Sequence, residues 1–134
     1  MSRTLCRVFG VAFVLAGLAG FADPGLFGLH LTTIHNLIHA FSGLVFLYVG
    51  FAGSEDAIRG LMLTFGSVYV LIGLLGFLAP GLVQALIGHS GSSLDASALA
   101  PDNILHVLAG TVLVFTSLAH SPGEVPPMAR PHVS

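Results

Sequence analysis

Charged side chains are scarce in this chain of 134 residues, since only 7% of them are Asp, Glu or Arg and lysine is absent. Soluble domains carry about a quarter charged residues. The apolar share of 54% and a mean hydropathy of +0.95 therefore exclude a soluble enzyme and a disordered chain. Four arginines and a net charge of −2 exclude a nucleic-acid binder, because phosphates would find too few cations. The class that remains is an integral membrane protein.

Cysteine is almost absent as well. Cys6 is the only one, so the chain can form no intramolecular disulfide and no thiolate cluster for a metal. We interpret Cys6 as a small apolar residue that fills space near one end of the first span. The alternating pattern of a membrane β-barrel is also missing, because the apolar runs are continuous.

Four stretches of the chain lack acidic and basic residues altogether. A helix needs about 20 residues to cross the hydrocarbon core. We therefore predict an all-α integral membrane four-helix bundle that forms one domain over residues 1–119. The predicted spans are 5–22, 33–52, 59–79 and 101–119. Pro24-Gly25 and Pro80-Gly81 end the first and third spans, and Pro101 suits the first turn of the fourth.

The basic residues predict the orientation. They are Arg3, Arg7, Arg59 and Arg130, and all four lie on the side of the membrane that holds both termini. The loops 23–32 and 82–100 contain no basic residue. By the positive-inside rule we expect a multi-pass protein of the cell membrane with both termini in the cytoplasm.

The chain matches itself when it is shifted. A shift of 56 residues aligns Phe9-Gly10 with Phe65-Gly66, Gly17-Leu18 with Gly73-Leu74, and Pro24-Gly25 with Pro80-Gly81. This pattern predicts two tandem helical hairpins, 5–52 and 59–119, the second with an insertion at about 84–100. Because each hairpin has two spans, the expected symmetry is a pseudo-two-fold axis along the membrane normal.

The repeat bears on the first span. Residues 1–22 resemble a secretory signal peptide cleaved after Ala22, but the third span is their counterpart, which favours retention. The repeated glycines, among them Gly17 and Gly73, share helix faces, and we interpret them as positions of close helix packing.

Polar residues inside the spans recur at matching positions. The second span carries His35, Asn36 and His39, and the fourth carries Asp102, Asn103 and His106 at the same spacing. These offsets place each trio on one side of its helix.

A structural interpretation of the trios is favoured. In it Asn36, Asn103 and Asp102 cap the helix starts, and each histidine bonds a neighbouring helix, so that Asn36, His39, Asn103 and His106 form a polar clamp. Interhelical hydrogen bonds of this kind contribute roughly 0.6–2 kcal/mol each.

The alternative interpretation is a ligand site, because ionisable residues within spans mark functional sites. His35, His39, His106 and Asp102 form a plausible ligand set for a divalent metal such as zinc. His39 and His106 could instead be the two axial ligands of a b-type haem, with Gly43 and Gly110 leaving flat space beside them.

The loops and the end of the chain carry weaker signals. His30 and His89 lie in the outer loops, where they could join a site that faces outward. The stretch 88–93 is predicted to be a flexible loop, and 82–87 could lie along the membrane interface. Four prolines in the segment 120–134, which also holds His120 and His132, predict a disordered cytoplasmic tail.

The two Asn-x-x-His units, 36–39 and 103–106, together with the glycine-rich span that ends in Gly76-Phe77, resemble a family of small four-span bacterial membrane proteins. That family is classified only as domain of unknown function 4383. The resemblance extends to about Ala119. It implies four spans and a bacterial cytoplasmic membrane, and it carries no activity that could be transferred.

Two functions follow as hypotheses. The first is a non-enzymatic structural unit without a cofactor, which assembles in the lipid bilayer with itself or with a larger complex. The second is a haem- or metal-binding protein that uses His39 and His106, with His35 and Asp102, for electron transfer or sensing. An ion pathway is disfavoured because no charged residue lies at mid-depth in a span. We expect no catalytic residue, since no Ser or Cys has a recognisable base beside it.

Overall fold

Long apolar runs fold into helices in the computed structural model, which describes residues 2–89 and 94–119. The helices are α1 (Ser2–Ala22), α2 (Thr33–Ala52), α3 (Glu55–Leu78), α4 (Pro80–Leu86) and α5 (Ala100–Ala119), with a short 3₁₀ turn at Leu26–Gly28. The described residues contain no strand. Four helices, all except α4, are long and apolar enough to cross a membrane. The prediction of an all-α protein with four such helices is therefore confirmed.

Local capping explains where α3 departs from the prediction. The helix begins at Glu55, four residues before the predicted start at 59. The Ser54 hydroxyl accepts a hydrogen bond from the Ala57 amide, and Glu55 and Asp56 occupy the first turn. Acidic residues at a helix start interact favourably with the exposed amides there, so the acidic loop residues became the first turn of the helix.

The segment after α3 is helical too. Pro80 opens α4 from its first turn, where the missing amide hydrogen is not needed. The segment 82–87, which was predicted to lie along the membrane interface, therefore contains most of α4. A flexible loop was predicted at 88–93 and a tail at 120–134. Of these, residues 90–93 and the whole tail lie outside the described residues.

The four long helices pack mainly as two pairs. α1 lies against α2 and α3 lies against α5, and the contacts between the pairs are far less extensive. Within each pair a glycine faces the backbone of the partner helix. A Cβ atom added at Gly17 would lie 2.7 Å from the Asn36 carbonyl oxygen, and one at Gly73 would lie 2.7 Å from that of Asn103. The prediction that these glycines serve close helix packing is confirmed.

The helices expose large apolar side chains outward and bury aromatic and aliphatic ones between the pairs. Phe13, Phe46, Met62, Tyr69 and Leu113 form the centre of the core. Outside it, residues such as Leu44, Phe115 and Tyr48 are mostly exposed. This distribution suits a protein whose surroundings are hydrocarbon and not water.

The end of the bundle where α1 and α3 begin carries the basic residues of the described part of the chain. The Arg3 guanidinium contacts the Glu55 carboxylate at 2.8 Å and donates to the Gly53 carbonyl at 3.0 Å. Arg7 donates to the Gly50 carbonyl at 2.8 Å. Cys6 is fully buried beside them and donates weakly to the Phe46 carbonyl at 3.3 Å, which agrees with its interpretation as a small space-filling residue. These contacts tie α1 to the turn between α2 and α3.

Candidate functional site

Three histidine rings meet at the opposite end of the bundle, where α2 and α5 begin, which we call the histidine end. His35 and His39 lie in the first two turns of α2, and His106 lies in the second turn of α5. The ring centroids are 4.6 Å apart for His35 and His39, 5.7 Å for His35 and His106, and 6.0 Å for His39 and His106. The cluster therefore joins a helix of one pair to a helix of the other.

The spacing of the ring nitrogens is close to that of a metal site. One ring nitrogen from each of the three histidines lies within 4.8 Å of the others, and the Nε2 atoms of His35 and His39 are 2.9 Å apart. Zinc–nitrogen bonds of about 2.0–2.1 Å in a tetrahedron set the nitrogens about 3.4 Å apart. To surround one ion, the closest pair of nitrogens would separate by about 0.5 Å and the most distant pair would approach by up to about 1.4 Å.

Backbone carbonyls orient two of the three rings. Nδ1 of His35 lies 2.9 Å from the His30 carbonyl oxygen, and Nδ1 of His106 lies 2.7 Å from that of Asp102. A carbonyl oxygen only accepts, so in both rings Nδ1 carries the proton and Nε2 presents a lone pair. Metal-binding histidines typically have this arrangement, in which the outer nitrogen donates to a carbonyl. The sequence offered no signal for these bonds.

Asp102, which was predicted as a fourth metal ligand, is not among the residues whose ligand atoms converge in the histidine cluster. Its carboxylate accepts from the His30 amide at 3.1 Å and lies 3.2 Å from His30 Nδ1. The side chain leaves the first turn of α5 toward the chain segment between α1 and α2. Among the described residues the group that could hold an ion consists of His35, His39 and His106 alone.

The predicted role of Asn36 as the α2 cap is wrong, and the side chains of Asp102 and Asn103 make contacts outside their own helix. The α2 cap is Thr32, whose hydroxyl accepts from the His35 amide at 3.2 Å. Asn36 instead donates from Nδ2 to the Leu31 carbonyl at 3.0 Å. The Asp102 carboxylate bonds to the His30 amide, outside its own helix, and the Asn103 side chain packs against Gly76. Helix starts recruit whichever polar group the loop geometry brings near, which the spacing within a pentad does not specify.

The polar clamp of hydrogen bonds between helices is not what holds the histidines. His39 pairs with His35 of its own helix, and His106 pairs with the Asp102 carbonyl of its own helix. Across the helices the contact is between rings: His106 lies 5.1 Å from the Tyr69 ring and 5.7 Å from that of His35. The side-chain oxygen of Asn36 and Nδ2 of Asn103 are buried without hydrogen-bond partners.

Tyr69 of α3 belongs to the site and was missed in the sequence. It is only 6% exposed, and its ring lies 6.4 Å from that of His39 and 5.2 Å from that of Phe13. Its hydroxyl lies near Ser42 but forms no hydrogen bond of good geometry. The same 56-residue shift that aligns the spans places Tyr69 opposite Phe13, so the polar member of that pair was a signal the sequence contained.

Two cavities reach the cluster from different sides. The first, of about 80 Å³, lies between the histidines and Ile72 of α3 and Val83 of α4. The second, of about 230 Å³, is lined by α1 and α5, with Phe9 and Leu105 on its walls. Both volumes are below the roughly 300 Å³ at which pockets for drug-sized ligands begin.

A haem does not fit this arrangement. The porphyrin of a bis-histidine haem lies between its two axial ligands. Here the His35 ring contacts both His39 and His106, at 4.6 and 5.7 Å between centroids, and thus occupies part of the space a macrocycle would need. Neither cavity is large enough to receive one. The three imidazoles fit a single ion better than the planar cofactor.

The chain segments that follow α1 and α3 cover the histidine end. The Thr32 hydroxyl donates to the Ile87 carbonyl, and Gln84 of α4 and Leu94 exchange two hydrogen bonds of 2.6 and 2.9 Å. Beside them, hydrogen bonds from the Ser97 hydroxyl and nearby amides hold the pKa of the Asp95 carboxyl below its usual value. The loop histidines lie beside the cluster and not in it: His30 contacts the Asp102 carboxylate and lies 6.5 Å from the His89 ring.

In comparisons with known proteins, no family description, no curated protein and no solved structure matches this chain.

Proposed function

We propose that this multi-pass membrane protein binds one borderline divalent metal ion through His35, His39 and His106. The observation that carries the proposal is the convergence of three ring nitrogens within 4.8 Å. The Nδ1 bonds of His35 and His106 to backbone carbonyls support it, since they leave Nε2 of each ring free to bind. Imidazole ligands suit zinc, copper, iron and nickel.

The geometry favours this function over a purely structural unit. A structural clamp would satisfy its buried polar atoms across helices, whereas Nδ1 of His39 and the Tyr69 hydroxyl are buried without partners. Three protein ligands also leave a fourth coordination position open, which is typical of sites that exchange ligands. We propose a binding role and assign no reaction to the site.

The site is supported by a tandem arrangement of two hairpins. The close approaches of Gly17 to the Asn36 carbonyl and of Gly73 to the Asn103 carbonyl occupy matching places in the two helix pairs. A pseudo-two-fold arrangement would bring His39 and His106 to the same depth from opposite sides, where one ion could join them. We likewise propose that the chain belongs to the four-span bacterial family that it resembles.

Zinc binding tests the proposal directly. Protein purified in detergent, stripped with EDTA and dialysed against zinc is expected to retain about one zinc per chain. The His39→Ala variant should bind zinc at least about tenfold more weakly, because losing one of three ligands removes a coordination bond. Equilibrium dialysis with metal analysis measures both affinities.

His89→Ala is the matched control, since His89 lies at the same end of the bundle outside the cluster. It should retain the zinc affinity of the unchanged protein. Equal affinities in His39→Ala and His89→Ala, or no zinc retained at micromolar concentrations, would contradict the proposal.

We also propose that both termini face the cytoplasm, which places the metal site near the external face of the cell membrane. Arg3, Arg7 and Arg59 lie at the end opposite the histidines, as the positive-inside rule requires for that orientation.

Labelling of single cysteines tests the orientation. In a Cys6→Ala background, Ser97→Cys should react with a membrane-impermeant maleimide on intact cells, whereas Asp56→Cys should react only after lysis. Both positions are exposed in the fold. Reaction of Asp56→Cys on intact cells would reverse the proposed orientation, and reaction of both would contradict four spans.

A further inference from the structure

A cleft between α1 and α5, which we call the lateral cleft, leads from the lipid-facing surface to the histidine cluster. Its walls are Phe9, Phe13 and Ala16 of α1 and Leu105 and Ala109 of α5, and its volume is about 230 Å³. Leu105 is about half exposed, so the mouth opens where hydrocarbon surrounds the bundle. An apolar molecule can therefore enter from the membrane without crossing water.

The base of the lateral cleft is polar. Tyr69 and His39 both line it, and each is at least nine-tenths buried. His39 Nδ1 has no hydrogen-bond partner, and the Tyr69 hydroxyl lies near Ser42 without forming a hydrogen bond of good geometry. Burying a polar atom without a partner destabilises a protein, so such atoms are rare and call for an explanation. Two of them at the end of one apolar cleft point to a ligand that supplies the missing bonds.

The protonation of the histidine rings determines whether the ligand must donate or accept the hydrogen bonds. Nε2 of His35 only accepts, because its Nδ1 proton is held by the His30 carbonyl. Without metal, His39 must therefore donate from Nε2 to His35, and its Nδ1 accepts. A metal ion bound at Nε2 of His39 moves the proton to Nδ1. Both Nδ1 of His39 and the Tyr69 hydroxyl then act as donors, and the matching ligand atom is an acceptor.

We propose that the lateral cleft binds a lipid-soluble carbonyl compound of the quinone type, whose oxygen accepts hydrogen bonds from Tyr69 and, in the metal-bound protein, from His39. The cleft is too small for a whole lipid and suits one ring-sized headgroup, with the apolar tail left in the bilayer. The Phe13 and Tyr69 rings, 5.2 Å apart, provide aromatic surfaces for a flat headgroup. The role of His39 rests on the proposed metal site, whereas the cleft and Tyr69 do not.

Tyrosine fluorescence provides a direct readout of binding in the lateral cleft. The protein has no tryptophan and two tyrosines, of which Tyr48 is 73% exposed to the surroundings of the bundle. In a Tyr48→Phe background, Tyr69 is the only emitting residue. Decylubiquinone added to zinc-loaded protein in micelles is expected to quench this emission with saturation, and dodecane, which has no carbonyl, should neither quench nor compete.

Filling the cleft should block the quinone. Ala109→Leu and Ala16→Leu place bulk on its two opposite walls, and each should weaken decylubiquinone binding at least about tenfold. Ala52→Leu makes the same change at an exposed position far from the cleft and should have no effect. Tyr69→Phe should weaken decylubiquinone binding about fivefold to tenfold, because one hydrogen bond is lost. Equilibrium dialysis measures this affinity.

The outcomes separate this inference from the metal proposal. Quenching that rises without saturation and is equal in Ala16→Leu, Ala109→Leu and Ala52→Leu would overturn the inference, as would full competition by dodecane. If the protein binds no zinc but binds decylubiquinone with saturation, and either cleft variant loses this binding, the cleft is supported and the metal site is refuted. Zinc binding without saturable quenching would leave the metal site standing and refute the quinone.

Discussion

Gly73→Ala is expected to lower the free energy of unfolding by about 1–3 kcal/mol, the usual cost of overpacking a well-packed interior. The new Cβ would lie 2.7 Å from both the Asn103 carbonyl oxygen and Val107 Cγ2, and 3.0 Å from the Val107 amide nitrogen. Two of these atoms belong to the backbone of α5 and cannot turn aside. The helices α3 and α5 must therefore separate locally, which loosens the pair. Thermal or denaturant unfolding in detergent, followed by circular dichroism, measures the loss.

Gly60→Ala is the matched control on the same helix. A Cβ added at Gly60 meets nothing within 4 Å. Because alanine is a better helix former than glycine by about 1 kcal/mol, this variant should keep or raise the stability of the protein. The two substitutions are chemically identical, so a difference in sign between them isolates the close helix approach at Gly73. Equal changes in stability would show that α3 and α5 do not pack as described.

Zinc is expected to stabilise the folded protein by about 2.7 kcal/mol when its concentration is a hundred times its dissociation constant. The physical reason is that the ion binds only where His35 and His39 of α2 meet His106 of α5. It therefore links two helix pairs that otherwise contact each other sparsely. The measurement is the unfolding midpoint with and without zinc, and excess EDTA should reverse the rise.

His106→Ala should abolish most of this zinc-dependent rise, because His106 is the ligand that α5 supplies. His89→Ala should preserve it. A rise of the same size in the His106→Ala protein would mean that zinc stabilises the fold from another place, and the link between the pairs would then be disproved.

The spans were predictable because their signal is local. An unbroken apolar run of about 20 residues has few alternatives to a membrane helix, since every backbone polar group in hydrocarbon must be paired within the segment. The close packing at Gly17 and Gly73 was predictable for a similar reason, because helical periodicity puts repeated glycines on one face. The start of α3 was missed because Ser54, Glu55 and Asp56 read as a polar loop and instead form a cap and a first turn.

The candidate site was predictable only in part. His35, His39 and His106 were selected from their spacing, and the fold brings them together. Asp102 has the same spacing as His35 but turns to His30, 72 residues away, and spacing within a helix says nothing of a partner that distant. Tyr69 reaches the cluster from α3, and the sequence signalled it only through its alignment with Phe13 under the 56-residue shift.

The sequence alone therefore determined the class of protein, the four apolar helices and the residues among which a site had to be sought, because composition and periodicity act within one segment of chain. Only the tertiary structure decided which of those side chains share a site. The packing of the α1–α2 pair against the α3–α5 pair sets which rings meet. Carbonyls at the helix starts then set which nitrogen of His35 and His106 faces inward. These are relations between distant segments, and they exist only once the helices have packed.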